Sequence, residues 1–175
     1  MADFMGRHIA QEPRDLLIWD EFFKKYRIKT MIELGTGHGG MTLYFGLKCR
    51  DAGAKFYTYD NVTSTDFMMP IEQKINLSAS YTCIDIFSDE AKGIIGPLIT
   101  NSPKPLCIFF DNGNKPREWS IYAPLTSPGD FCVVHDWDTE FKASDIGGVQ
   151  VERILTKESD ARTPDGWRAM WLKRI

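Results

Sequence analysis

The stretch Met31-Ile32-Glu33-Leu34-Gly35-Thr36-Gly37-His38-Gly39-Gly40 runs from an apolar segment through four glycines into Met41–Arg50, which has no further glycine until position 46. That order predicts a strand over 29–34, a loop and then a helix. A glycine-rich loop that opens a helix exposes backbone N–H groups at the helix N-terminus. Residues without side chains let a nucleotide-like ligand come close. Asp60 ends the next strand-like run, Lys55–Tyr59, where a carboxylate can accept hydrogen bonds from both hydroxyls of a ribose.

The alternation continues on both sides of this unit. Upstream, Pro13–Lys25 carries Leu16, Leu17, Trp19, Phe22 and Phe23 at roughly helical spacing, with Pro13 suited to a helix start, so residues 1–27 read as a helical extension behind a polar opening. Downstream, 70–76 reads as a weak helix, 80–84 as a strand and 88–100 as a helix. Leu106–Phe110 is a continuous apolar run, as a strand buried on both faces requires. Glu118–Leu125 reads as a helix, Ser127-Pro128-Gly129 as a turn and Phe131–Val134 as another buried strand. Two strand-like runs, 149–155 and 166–172, flank the polar TKESDARTPDG, which has no helical period, and together read as a hairpin. The pattern predicts an α/β doubly wound, mostly parallel sheet closed by a C-terminal antiparallel hairpin.

With 175 residues, 43% of them hydrophobic, the chain can bury one core and is short for two, so residues 1–175 read as a single domain. A net charge of -3 with no long basic run argues against nucleic acid as a partner. Cys49, Cys83, Cys107 and Cys132 lack the spacing of a zinc or redox motif and read as buried reduced thiols. No apolar stretch is long enough for a membrane span. These are the features of a soluble cytoplasmic protein with no membrane partner.

Gly35, Gly37 and Gly40 also satisfy a dinucleotide fingerprint with an acid about twenty residues on, which leaves a nicotinamide oxidoreductase open. The small size and the closing hairpin weigh against it. Glu33, Gly35, Gly37 and Gly39 resemble the ExGxGxG signature of class I S-adenosylmethionine-dependent methyltransferases. The resemblance covers residue 14 to the end and implies a Rossmann-like sheet of seven strands. It implies S-adenosylmethionine contacts from Glu33, Gly35, Thr36, Gly37, Gly39, Asp60, Asn61, Asp85, Ile86 and Asp111. The segment IFFDNGNKPREWSIYAPLTSPGDFCVVHDW is further similar to the small-molecule, catechol-type and antibiotic-tailoring (cephalosporin hydroxylase-like) subgroup. That subgroup carries D-G-x-H after its fourth strand and an H-D pair after its fifth; here Asn112 and Asn114 replace the glycine and the histidine.

Glu33, Asp60, Asp85, Asp111, His135 and Asp136 should converge at the carboxyl ends of the strands. Methyl transfer is an in-line displacement at a sulfonium, so the protein must align a nucleophile and remove its proton. Two routes are open: Asp111, His135 or Asp136 as base, or Mg²⁺ held by Asp111 and Asp136, with a third ligand from His135 or Trp137. Lys115, four residues after Asp111, could aid a nucleophile but reads more readily as a solvated lysine, His38 as packed or solvent-facing and His8 as part of a mobile terminus. Phe67, Met68, Met69, Trp119 and Trp137 are candidates for a substrate wall. The function to expect is O-methylation of a small-molecule or sugar hydroxyl. A non-catalytic S-adenosylmethionine-binding module remains open, and so small a core leaves room for a second copy of the chain to complete the pocket.

Overall fold

A computed structural model of the chain describes residues 2–61, 79–160 and 168–175. The elements are β1 (Ala2–Phe4), β2 (Arg7–Ile9), α1 (Pro13–Lys25), β3 (Thr30–Leu34), α2 (Gly40–Ala52), β4 (Lys55–Asp60), β5 (Ala79–Cys83), α3 (Asp89–Asn101), β6 (Leu106–Phe110), α4 (Lys115–Tyr122), β7 (Phe131–Trp137), β8 (Val151–Arg153), α5 (Thr156–Asp160) and β9 (Arg168–Arg174). Seven strands form one sheet in the order β5-β4-β3-β6-β7-β9-β8. The first five are mutually parallel, while β9 runs antiparallel to both β7 and β8. This is the doubly wound, mostly parallel sheet with the closing antiparallel pair that the alternating pattern predicts.

Side chains along a strand alternate between faces, so the apolar run of β6 feeds two cores. Cys107 and Phe109 pack toward α1 and α2. Leu106, Ile108 and Phe110 pack toward α3 and α4. At the centre of the first core the fully buried Trp19 meets Phe22, Phe45, Phe109 and Trp171 edge to face, the arrangement that aromatic quadrupoles favour.

Several expectations need correction. Residues 2–9 are an antiparallel hairpin and not part of a helical extension. Met5 and Gly6, both at positive φ, make its tight turn, and three-residue strands are too short to show alternation in sequence. In α1, Leu17 is 66% exposed and Ile18 is buried instead, because four consecutive apolar residues leave the helix face ambiguous by one step. Helix α4 starts three residues earlier than expected: Asn114 accepts from the Arg117 N–H and Pro116 fits the first turn. Thr156–Asp160 is a short helix within the segment read as having no helical period. Cys83 is exposed, whereas Cys49, Cys107 and Cys132 are buried.

Strand β7 continues to Trp137, with a register shift against β9 between Val134 and Trp137. A bulge of this kind re-aims side chains, and it falls on His135 and Asp136. The weak helix expected at 70–76, and Phe67, Met68 and Met69, lie outside the described residues. Among the described residues no helix is long and apolar enough to cross a membrane.

Candidate functional site

Strands β3 and β6 are neighbours from which the chain winds in opposite directions. Ligands of doubly wound sheets bind at the crevice that such a switch point opens. The two strand ends are tied together: Asp111 N–H donates to the Leu34 carbonyl at 2.9 Å, and Gly35 N–H donates to the Tyr59 carbonyl at 2.9 Å. Gly35 has φ +101°, and a Cβ there would lie 2.5 Å from the Asp111 carbonyl oxygen, so only glycine fits. Gly37 donates its N–H to Asp60 Oδ2 at 2.8 Å, and the Thr36 and Thr58 hydroxyls lie 2.6 Å apart. The loop is thereby pinned to β4 before it enters α2.

Glu33 stands behind this loop and does not line the pocket. Its carboxyl is fully buried and accepts from the hydroxyls of Thr42 at 2.6 Å and Thr58 at 2.7 Å. Burial pushes its pKa up to about 8 against the lowering effect of those two bonds, and the negative Asp111 and Asp60 add to the rise. Glu33 is therefore a protonated brace that joins β3, β4 and α2. Asp85 and Asn61 are exposed, and the Asp85 carboxylate accepts from Phe87 N–H at 2.9 Å. Ile86 is buried and its carbonyl accepts the Tyr122 hydroxyl. Asp60, Asn61, Asp85 and Ile86 also lie outside the pocket lining.

The pocket itself is bounded by the loop, by Asp111, His135 and Asp136, and by His8 and Gln11. Sequence reasoning missed Gln11 and placed His8 in a mobile terminus. The β1–β2 hairpin brings both here, seated so closely on the start of α2 that a Cβ on Gly40 would be 2.3 Å from the His8 carbonyl oxygen. His38 is exposed, its ring edge-on to His8 at 5.3 Å. Trp119 and Trp137 belong to the core with Phe141 and are not a substrate wall.

The charged groups are tightly interlocked. His135 Nδ1 lies 3.1 Å from both Asp111 Oδ1 and Asp136 Oδ1. Gln11 Nε2 donates to Asp111 Oδ2 at 2.8 Å. Lys115, expected to be solvated, is 3% exposed; its Nζ lies 2.7 Å from Asp136 Oδ2, 2.9 Å from Glu140 Oε2 and 3.6 Å from Asp111 Oδ1. The signal available in sequence was its placement four residues after Asp111. Burial works to lower the His135 pKa, but hydrogen bonds to Asp111 and Asp136 prevail and raise it to about 9. Burial opposes ionisation of Asp136, yet His135 and Lys115 hold it down at about 2. At neutral pH His135 is a donor to two carboxylates and not a free base.

Two carboxylates and an imidazole within 4.8 Å of one another are a donor set that can hold a divalent cation. Here the four carboxylate oxygens of Asp111 and Asp136 already face Gln11, His135 and Lys115. As arranged, the acids accommodate two cationic side chains in place of an ion. The loop does fit S-adenosylmethionine: three of its glycines have positive φ, and a Cβ on Gly37 would meet nothing within 4 Å, so its backbone borders open space at the rim.

Neither a protein-family model nor a curated protein matches the chain. Solved structures do. CmcI, in a structure described as Mg-SAM, superposes with a TM-score of 0.72 at 14% identity, over 99% of this chain and 76% of that one. Cofactor-bound Rv0187 from MTB gives 0.62 at 12% identity, over 96% and 82%. A SAM dependent methyltransferase from Aquifex aeolicus gives 0.58 at 14% identity, over 94% and 95%. Likeness at such identities is likeness of architecture, and this chain shares the fold of those solved structures.

Proposed function

We propose that the chain methylates a hydroxyl of a small molecule, using S-adenosylmethionine. The observation that supports this reading most is the junction, in one pocket, of the Gly35–Gly39 loop with the Asp111, His135 and Asp136 cluster. S-adenosylmethionine supplies a methyl group on a sulfonium, already a good leaving group. The chain then has to bind, align and deprotonate.

In this reading the backbone of Gly35, Thr36, Gly37 and Gly39 lets the cofactor approach closely, while Asp60, with Asn61, Asp85 and Ile86 nearby, serves its nucleoside end. Glu33 acts at one remove by holding the loop. Asp111 is the more exposed carboxylate of the cluster, 19% against 12% for Asp136. It receives the proton of the acceptor hydroxyl, which then leaves to solvent. His135 and Lys115 stay protonated and fix the orientation of both carboxylates. Alignment carries much of the rate, since a positioned nucleophile avoids the entropic cost of encounter.

Calorimetry with S-adenosylhomocysteine and with NADH, followed by transfer of radiolabelled methyl groups to a panel of small hydroxyl compounds, tests this reading. The expected result is binding of the first ligand only, together with labelled product. NADH binding without S-adenosylhomocysteine binding would establish an oxidoreductase instead. Cofactor binding with no transfer to any acceptor would leave a binding module.

A further inference from the structure

Asp111 and Asp136 end neighbouring strands, and two carboxylates so placed need positive charge between them. His135 supplies part of it, and a second cationic group arrives from the first turn of α4. Lys115 Nζ bridges Asp136 Oδ2 at 2.7 Å and Asp111 Oδ1 at 3.6 Å, and is held by Glu140 Oε2 at 2.9 Å and by the Asn112 carbonyl at 3.1 Å. The capping bond from Arg117 N–H to Asn114 Oδ1 fixes where α4 starts. The ammonium is therefore set by the fold and is not at the end of a swinging surface chain.

We infer that Lys115 takes the place a divalent cation would hold between Asp111 and Asp136, making this a metal-free site. An ion bound to those oxygens sits about 2.1–2.6 Å from them. A cation bridging Asp136 Oδ2 and Asp111 Oδ1 would then lie against the ammonium that already contacts both, so one of the two must leave. The other oxygens do not help: Asp111 Oδ2 faces Gln11, and Asp136 Oδ1 faces His135. The inference takes its catalytic meaning from the proposed methyl transfer, but its test reads cation binding alone.

The experiment titrates the full chain with Mn²⁺, following free ion by electron paramagnetic resonance. Wild type should show no specific site. Lys115→Met, which keeps length and removes charge, should bind one Mn²⁺ at least about tenfold more tightly than wild type, because it removes one of the two cationic side chains that compensate the acids and frees the place beside Asp136 Oδ2. Its thermal transition should rise with Mn²⁺. Asp136→Asn added to Lys115→Met should abolish that binding. A wild-type 1:1 site lost in Asp136→Asn would overturn the inference, and needs no folded lysine variant. So would a folded Lys115→Met that binds no better than wild type. Failure of S-adenosylhomocysteine to bind, in a parallel titration, would count against the proposed function and leave the metal-free assignment standing.

Discussion

Gln11 Nε2 donates to Asp111 Oδ2 at 2.8 Å, joining the segment after β2 to the end of β6 across 100 positions of sequence. The N-terminal hairpin is thereby a wall of the pocket. Gln11→Ala should lower unfolding free energy by about 1.5–3 kcal/mol, the usual worth of a hydrogen bond to a charged group. Urea denaturation checks this. An unchanged midpoint would mean that the bond contributes nothing in solution.

The glycines of the loop should differ sharply on substitution by alanine. At Gly35 the added Cβ strikes the Asp111 backbone and the φ is positive, so folding should be lost or the domain destabilised by several kcal/mol, about the scale of a core defect. At Gly37 the space is open, and only backbone strain of about 1–2 kcal/mol applies. Gly40→Ala meets the His8 backbone and should unseat the hairpin while sparing the sheet. Amide exchange distinguishes the last two, because only Gly40→Ala should deprotect residues 2–9.

Stability should be greatest on the acid side of neutrality. Glu33 and His135 both have raised pKa values in the folded protein, about 8 and about 9. Each therefore contributes stability that is complete below its unfolded value, about 4.5 and about 6.5, and is lost as pH rises through the folded one. Asp136, held down to about 2, works the other way: its contribution is complete above about 4 and is lost as pH falls through about 2. Melting temperature should decline from pH 5 to pH 9. Glu33→Gln should flatten that decline between pH 5 and pH 8, and a variant with the wild-type slope would show that Glu33 ionises freely.

Asp60→Ala removes the acceptor that anchors Gly37 and the acid proposed for the ribose. It should weaken S-adenosylhomocysteine binding by about 1–3 kcal/mol, the cost of a lost charge-assisted hydrogen bond. Calorimetry reads this directly. Equal affinity would remove Asp60 from the nucleoside site.

The sheet was legible because buried parallel strands write themselves as unbroken apolar runs, as in β6, and because three glycines at positive φ cannot be disguised. Asp111, His135 and Asp136 could be placed together from the rule that strand ends share a rim. The hairpin could not, since its strands are three residues long and what seats it, Gly40 and Asp111, lies far off in sequence. Nor could the state of Lys115: its burial depends on the extension of β7 to Trp137 and on the turn beyond, which carries Glu140 alongside. His135 was visible as a candidate base, but the two carboxylates that keep it protonated act only through the folded geometry.

The seating of the hairpin bears on how the chain is made. His8 and Gln11 leave the ribosome well before Gly40 and Asp111, the residues they rest on. One wall of the pocket therefore waits for the other, and cannot set until synthesis has passed the end of β6. During that interval residues 2–11 are without the contacts that seat them on α2 and on the end of β6.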